Sequence, residues 1–375
     1  MGVTNVLFEF TNEQLELQDA VRSVLTKECN AQTLREALKE PDVITAKLLQ
    51  TYSSLDWQAL AIAEEYDGIG MTHVEQAILA EAMGWVADPT SFLSTTTHFA
   101  PLIANCGTAE QKRSLLPKIA SGTLTGTFAC NDSQGRIGYE FPAVHATKTG
   151  VGWSLSGSSI SVTDGARVDS IGVLAKTEAG VSVFIIDSAL LDIDTVPAFD
   201  PLMNVANITF DGIEVGDNVR LGNSSQATIE RSVQEATIAQ AASIVGTCQR
   251  IMEMTLEYVK NRYQFDVPIG SFQVVKHKMA NMYIVVERAR ALAYFAALTM
   301  AEDNNQQKIA TSMAKAAAGD AQRVAVQDGI QLFGGLGFTW ENDLQLYVKH
   351  AKAGELILGN SQFHLDEVAR LSLNA

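Results

Sequence analysis

The sequence predicts an α+β protein of several domains: an N-terminal helical domain, a central antiparallel β-barrel or β-sandwich domain, and a C-terminal four-helix bundle. Three observations support this prediction. Apolar residues recur at helical spacing near the N-terminus, short alternating runs fill the middle, and long helical patterns with one interior proline fill the rest. Rossmann and TIM-barrel layouts are excluded, because they alternate strands with helices. The predicted domains are 1–126, 127–226 and 227–375.

The N-terminal block begins with a helix capped at Thr11, because a polar first turn and an apolar stripe near the helical period follow this residue. Further helices are predicted over 42–53 and 74–86. Another helix begins after Thr108, whose side chain can cap its first turn.

The middle block is predicted to form strands. Residues 153–156 and 159–162 alternate between polar and apolar side chains, whereas 182–186 is a continuous apolar run typical of a strand buried on both faces. Glycine, aspartate and asparagine separate these runs at the spacing of an antiparallel barrel or sandwich. Beyond them, helical patterns over 236–258, 273–301 and 307–333 are each long enough for a member of a four-helix bundle.

Composition excludes several classes of function. The chain has 43 acidic and 27 basic residues and a formal net charge of -16, which argues against nucleic acids and anionic membranes as partners. It has no apolar run of the roughly 20 residues needed to cross a bilayer, and its first residues do not resemble a secretory signal.

The scattered cysteines lack metal-ligand spacing, so we expect buried or incidental thiols in a reducing cytoplasm. These are Cys29, Cys106, Cys130 and Cys248.

Three local signals are ambiguous when each is taken alone. The glycines of 334–337 end a helix, either as a helix stop or as a place where the backbone approaches a ligand. Arg262 suits a solvated helix end, where the helix dipole favours a positive charge. Residues 163–165 have the composition of a turn.

In combination, four segments resemble the acyl-CoA dehydrogenase family, and the resemblance covers nearly the whole chain. They are 107–122, 156–177, 258–282 with Arg-x-x-Phe and Phe-Gln, and 331–352 with Gln-x-x-Gly-Gly-x-Gly. The resemblance implies an FAD cofactor, an acyl-CoA substrate and electron-transfer flavoprotein as the electron acceptor. It also implies assembly as dimers or as dimers of dimers.

In this family each FAD lies across a dimer interface, so one chain offers a half-site to its neighbour's FAD. The resemblance assigns Arg262 to the pyrophosphate, which a guanidinium fork fits well. It assigns Phe265 and Gln273 to the adenosine end of the cofactor. Asp266 departs from the family, where a glycine usually follows the phenylalanine. The full set of residues offered to the neighbour is Arg262, Phe265, Gln273, Gln331, Gly334 and Gly335.

The half-site for the chain's own flavin has fewer of the residues that the family usually carries there. Residues 131–134, Asn-Asp-Ser-Gln, replace the usual Thr-Glu-Pro-Gly, and Ser161 replaces a tryptophan that lies against the isoalloxazine. Serine cannot supply an aromatic face. Thr163 can still hydrogen-bond the flavin edge, and Asn360 and Gln362 stand where a threonine and a glutamine contact FAD.

The catalytic base is missing from both positions at which the family carries it. Abstraction of the weakly acidic α-proton of an acyl thioester requires a desolvated carboxylate, and Leu358 and Ala236 occupy those positions. Glu235 is adjacent to the second position, but one residue rotates a side chain by about 100° around a helix. Glu235 is therefore either a solvated surface carboxylate or a displaced base. Glu355 is similarly offset from the first position.

This pattern resembles the partner subunit of heteromeric acyl-CoA dehydrogenases known in steroid side-chain degradation. In those heterotetramers one subunit brings the glutamate and binds the substrate, while the other completes the FAD pocket. Two alternatives stay open. One is a self-sufficient homo-oligomeric dehydrogenase that uses Glu235, and the other is a flavin-free scaffold or acyl-CoA-binding relative.

Overall fold

The chain folds in the predicted order of helices, sheet and helices. The structure is a computed structural model that describes residues 9–132 and 142–373. The fold class is confirmed: a helical N-terminal region precedes a mixed sheet, and long helices complete the chain.

Helix caps set the beginnings of several N-terminal helices. Thr11 and Thr108 each form a capping box. The threonine hydroxyl accepts from the backbone N–H of the glutamine three residues later, and the side chain of that glutamine accepts from the backbone N–H of the threonine. A π-helical segment, Ser94–Phe99, leads directly into α5. The α-helices of this region are α1 (Asn12–Glu28), α2 (Ala31–Ala37), α3 (Pro41–Ser54), α4 (His73–Val86), α5 (Ala100–Cys106) and α6 (Ala109–Ala120).

Within the described residues, seven strands form one sheet. They are β1 (Gly126–Ala129), β2 (Val144–Lys148), β3 (Trp153–Thr163), β4 (Ser170–Thr177), β5 (Gly180–Asp187), β6 (Asp192–Val196) and β7 (Val205–Val215). The sheet is mixed rather than wholly antiparallel, because β1 and β2 both pair in parallel with β4. Alternation of side chains marks a strand without fixing its partner, so the sequence did not distinguish these pairings.

Long helices dominate the C-terminal region. α7 begins at Gln226, ten residues before the predicted start, because Ser225 caps it in a capping box with Thr228. α8 and α9 have the predicted bounds. The elements are α7 (Gln226–Asn261), β8 (Tyr263–Gln264), β9 (Val267–Pro268), α8 (Gln273–Ala301), α9 (Gln307–Phe333), α10 (Leu344–Leu356) and α11 (Ser361–Leu373).

A close crossing of two helices joins the N-terminal region to the C-terminal one. A Cβ atom added to Gly84 of α4 would lie 1.9 Å from the carbonyl oxygen of Ser243 in α7, and one added to Gly246 would lie 1.8 Å from that of Glu81. Only glycine permits such an approach of two backbones. One apolar core therefore continues across this crossing, from Val21 in α1 to Ala325 in α9.

The expectation of buried thiols is confirmed, since all four cysteines are free and buried. Among residues 9–132 and 142–373 we find no helix that combines the length and the apolar character needed to span a bilayer.

Candidate active site and cofactor surface

The six residues that the resemblance offers to a neighbour's FAD are all exposed and lie at or beside the ends of α7, α8 and α9; we call them together the helix-end surface. The tight β8–β9 hairpin follows α7, with Phe265 and Asp266 in its turn at φ values of 55° and 63°. Both turn residues lie in the left-handed region, as a two-residue hairpin of this type requires. The turn carries the ring of Phe265 into solvent, where the residue is 86% exposed.

Aromatic stacking holds the parts of the helix-end surface together. The Tyr258 ring near the end of α7 stacks on Phe333 at the end of α9, with centroids 4.2 Å apart. Gly334 follows at a φ of 64°, and a Cβ added to Gly334 or Gly335 would meet no atom within 4 Å. An exposed guanidinium at Arg262 and an open glycine backbone thus belong to the two helix ends that this stack joins.

A cavity of about 290 Å³ lies between the sheet and the α10–α11 turn; we call it the sheet-side cavity. Thr163 and Ser161 near the end of β3 line it, and so does Leu358 of the α10–α11 turn. The backbone oxygen of Thr163 accepts from the Thr127 hydroxyl at 2.7 Å, which fixes the end of β3. The structure therefore brings Thr163 and Leu358 to one cavity.

Three side chains fix the turn that carries Leu358. The buried Lys315 amine of α9 lies 2.8 Å from the Glu355 backbone oxygen and 2.7 Å from that of Gly359, and burial lowers its pKa to about 7. His364 Nε2 lies 2.8 Å from the Leu358 oxygen. The Glu355 carboxylate accepts from the Ser361 backbone N–H at 2.9 Å. These bonds hold Leu358 at a φ of 56°.

The two positions to which the resemblance assigns the family's base lie in the same apolar cluster. Ala236 is 1% exposed and Leu358 is 6% exposed, and both belong to the core formed with Phe99, Phe128 and other apolar residues. Glu355 faces Lys352 and Ser361, and the Lys352 amine lies 2.7 Å from its carboxylate. Burial acts to raise the pKa of Glu355, but the hydrogen bonds from Lys352 and Ser361 outweigh it, so this pKa is lowered.

Glu235 is not the solvated surface carboxylate that one interpretation of the sequence predicted. It is 8% exposed, because α7 is covered there by N-terminal helices. Its Oε1 accepts from Arg231 at 3.1 Å and from Asn105 at 3.3 Å, and His73 Nε2 lies 3.5 Å away. It lines a separate cavity within the N-terminal region, whereas Leu358 and Thr163 line the sheet-side cavity.

Sequence reasoning missed a buried polar group behind the sheet-side cavity. A space of about 50 Å³, the inner polar cavity, is lined by Asp88, His98, Asp164 and His350 among others. Burial lowers the pKa of His98 to about 4 and raises that of Asp164 to about 7. His98 Nε2 is buried without a hydrogen-bond partner among the described residues. No local signal marked His98, because the polar run Ser94–Phe99 resembles an exposed segment.

The remaining predicted contacts lie at the start of α11 and near β1. Asn360 caps α11 by accepting from the Phe363 backbone N–H at 2.9 Å, and Gln362 donates to Asp366 at 2.8 Å. Asn131 lines the sheet-side cavity. Positions 133 and 134 of the replaced Thr-Glu-Pro-Gly segment lie outside the described residues.

Comparison with known proteins places this architecture in one family. Residues 11–123 match the model of the acyl-CoA dehydrogenase N-terminal domain, and residues 227–373 match that of the acyl-CoA dehydrogenase C-terminal domain. The chain belongs to the acyl-CoA dehydrogenase family, whose members are oxidoreductases that act on CH–CH groups.

Similar proteins include a plant dehydrogenase and two solved structures. Mitochondrial isovaleryl-CoA dehydrogenase of Solanum tuberosum is 26% identical over 373 residues, covering 96% of this chain and 90% of that protein. The crystal structure of the ChsE4–ChsE5 complex from Mycobacterium tuberculosis superposes with a TM-score of 0.91 at 25% identity, over 98% of this chain and 99% of that one. The structure of a variant of the Tcur3481–Tcur3483 steroid ACAD superposes with a TM-score of 0.87 at 26% identity. The match covers 96% of this chain and 98% of that one.

Proposed function

We propose that this chain is the FAD-pocket-completing subunit of a heteromeric acyl-CoA dehydrogenase, in which a related subunit supplies the catalytic glutamate and binds the acyl-CoA. The proposal is supported by a contrast: the helix-end surface has all six residues that the resemblance assigns to a neighbour's FAD, whereas in the sheet-side cavity Leu358 stands where the resemblance places a carboxylate. The ChsE4–ChsE5 complex, named for two different chains, is a similar structure and supports this assignment.

The helix-end surface has the chemistry that FAD requires. Arg262 is exposed and can direct its guanidinium donors at pyrophosphate oxygens. Phe265 offers an exposed ring face to an adenine, and the space beside Gly334 and Gly335 admits a ligand close to the backbone. FAD, when bound, supplies the acceptor for the hydride that leaves the acyl chain. This chain's part is to bind and orient that cofactor for the partner subunit.

The titratable groups that line the sheet-side cavity are poorly suited to abstract a proton. The Asp200 carboxylate already accepts from the Leu202 backbone N–H at 3.0 Å and lies 2.8 Å from His350 Nδ1. Leu358 and Ala236 have no titratable atom, and both lie in an apolar cluster. Glu355 is engaged by Lys352 and Ser361. His98 lines the cavity, but a pKa of about 4 makes it a weak base at neutral pH. Proton abstraction therefore falls to the partner subunit.

The space behind the sheet-side cavity is unsuited to an acyl chain. The inner polar cavity is only about 50 Å³, and the carboxylates of Asp88 and Asp164 border it. Both are buried, and Ser94 hydrogen-bonds Asp164. An apolar chain placed there would meet polar groups at a cost, since hydrocarbon cannot satisfy them. This supports substrate binding by the partner, with electron-transfer flavoprotein as the acceptor of the assembled enzyme.

The test is the FAD content of the chain alone and of the chain purified with its partner. A related acyl-CoA dehydrogenase with an intact glutamate is co-expressed, and FAD is quantified by its visible absorbance after denaturation. We expect the lone chain to hold little FAD and the complex to hold one FAD per two chains. Each FAD site is built from two half-sites, one from each chain, and only half of the half-sites then have a complete counterpart. A lone chain with one FAD per protomer would overturn the heteromer proposal.

A second candidate function is favoured by one observation, the burial of Glu235. A buried carboxylate could serve a self-sufficient homo-oligomeric dehydrogenase as its base after a local shift of α7. Under our proposal Glu235→Gln leaves turnover of the complex nearly unchanged, because the side chain lines a different cavity from Leu358. Under the alternative, removal of a positioned base costs about 10²–10⁴-fold in kcat.

The measurement is kcat with an artificial electron acceptor, for the wild type and Glu235→Gln, each with and without the partner. Glu110→Gln is the matched control, because Glu110 is an exposed carboxylate on α6. A large fall in the partner-free enzyme, with FAD still bound, would establish the homo-oligomeric alternative.

A further inference from the structure

The cavity that Glu235 lines is a distinct space of about 270 Å³, which we call the N-terminal cavity. It lies among α4, the Ser94–Phe99 segment with α5, and α6, and no described residue lines both it and the sheet-side cavity. Exposed residues such as Ala61 and Ala104 border it, so a ligand can enter from solvent. Much of its wall is apolar or aromatic, including Trp57, Tyr66, Leu79, Phe92 and Leu116.

Glu235 gives this wall a buried carboxylate with one free oxygen. The three donors near it all approach Oε1: Arg231 Nε at 3.1 Å, Asn105 Nδ2 at 3.3 Å and His73 Nε2 at 3.5 Å. The described residues offer Oε2 no hydrogen bond, and Oε2 is not one of the unpaired side-chain atoms that burial closes off from solvent. Because Glu235 is 8% exposed and lines the N-terminal cavity, its accessible oxygen opens into that cavity.

Lys112 of α6 brings a cation to the same wall, and its side chain is half-buried. Its amine forms no ion pair with any of the described residues. The end of α5 lies against both charged side chains, since Asn105 donates to Glu235 and a Cβ added to Gly107 would lie 3.4 Å from Lys112 Cγ. Burial raises the pKa of the Cys106 thiol between them, and there Glu235 adds to the rise while Lys112 opposes it. A free carboxylate oxygen and a free ammonium group thus lie at one end of the cavity.

The other charges near the cavity do not satisfy this pair. Arg231 is already shared between Glu235 and Asp303. Glu65 also lines the cavity, but it is exposed, so water screens its carboxylate. A ligand with a single charge would be attracted by one member of the pair and repelled by the other. A molecule that carries both charges can satisfy both members at once.

We propose that the N-terminal cavity binds a zwitterionic α-amino acid with a large apolar side chain. The ammonium group of this ligand donates to Glu235 Oε2, its carboxylate accepts from Lys112 Nζ, and its side chain packs against the apolar wall. The size is adequate for an aromatic side chain, since an apolar cavity of about 150 Å³ holds benzene. This site goes beyond the proposed function and does not depend on it.

The test is isothermal titration calorimetry of the full chain with four probes: L-phenylalanine, phenethylamine, 3-phenylpropionate and L-alanine. The last three lack, in turn, the carboxylate, the ammonium group and the aromatic ring, and we expect L-phenylalanine to bind most tightly. Loss of the ammonium group should weaken binding about tenfold or more, because it meets a buried carboxylate. Loss of the carboxylate should weaken binding about two- to fivefold, because Lys112 is only half-buried. L-alanine should bind at least about tenfold more weakly, since it leaves the apolar wall uncovered.

Two variants assign the two charges separately. Lys112→Met is expected to lower the affinity for L-phenylalanine to that for phenethylamine. Glu235→Gln is expected to remove the advantage of L-phenylalanine over 3-phenylpropionate. Lys118→Met, at an exposed position on the same helix as Lys112, is the control and should leave all four affinities unchanged.

The wild-type ranking tests the proposal even where a variant fails to fold. Absence of L-phenylalanine binding, or binding no tighter than that of phenethylamine or 3-phenylpropionate, would overturn it. L-alanine that binds as tightly as L-phenylalanine would overturn the assignment to an apolar cavity, and a ranking unchanged in both folded variants would place the ligand elsewhere. The FAD content of the complex is measured separately, so failure here leaves the proposed function untouched.

Discussion

Arg262→Ala is expected to release FAD from the assembled complex while leaving the fold of the chain intact. The side chain is exposed at the end of α7, so its loss removes no core packing. A hydrogen bond to a charged group contributes about 1.5–3 kcal/mol, which corresponds to a fall in FAD affinity of about 10–150-fold. The readout is FAD retention after desalting, with helicity and Tm measured on the same sample.

Two variants make this result specific to the guanidinium. Arg262→Lys keeps the charge but loses the planar fork, so we expect an intermediate FAD affinity. Arg113→Ala removes an exposed arginine from α6 and should leave FAD bound. If Arg262→Ala holds FAD as tightly as the wild type, Arg262 is only a solvated charge at a helix end, and the helix-end surface loses its central contact.

Lys315→Met is expected to destabilise the chain strongly, although methionine nearly matches lysine in length. The change leaves the carbonyl oxygens of Glu355 and Gly359 buried without the amine that now serves both. An unsatisfied buried acceptor costs about 1–3 kcal/mol, so two cost about 2–6 kcal/mol, and Tm should fall by several degrees. Lys47→Met, at an exposed position of α3, is the control and should leave Tm nearly unchanged.

The difference between wild type and Lys315→Met should also depend on pH. The Lys315 pKa is about 7 in the folded chain and near 10.5 when unfolded, so between these values the unfolded chain holds the extra proton. Raising the pH through this window therefore favours the folded wild type. We expect the Tm difference to widen from pH 7 towards pH 10. A constant difference would mean that Lys315 keeps its proton when buried.

Local signals predicted much of the helical architecture. Thr11 and Thr108 form the capping boxes that their following residues indicated, and α8 and α9 have the predicted bounds. These features depend on residues within one or two helical turns of each other, so they can be predicted from the local sequence. The apolar run 182–186 lies within β5 and is buried, because both faces of that strand are covered.

Features that depend on distant residues were not predictable in the same way. The parallel pairing of β4 with β1 joins segments about 40 residues apart, and alternation alone does not choose between partners. Glu235 is buried because α4, α5 and α7 converge around it, whereas its own neighbours on α7 suggested a surface position. His98 was missed for the same reason, since a polar run gives no sign of the cavities on which it borders.

The glycine crossing of α4 and α7 bears on how this chain can be divided. Gly84 and Gly246 bring two backbones so close that the first third and the last third of the polypeptide share a single interior. Neither third can be cut away without exposing apolar side chains that the other now covers. The three sections recognisable from secondary structure are thus not exchangeable modules. Natural variation or laboratory shuffling that replaces one helical section must replace its counterpart together with it.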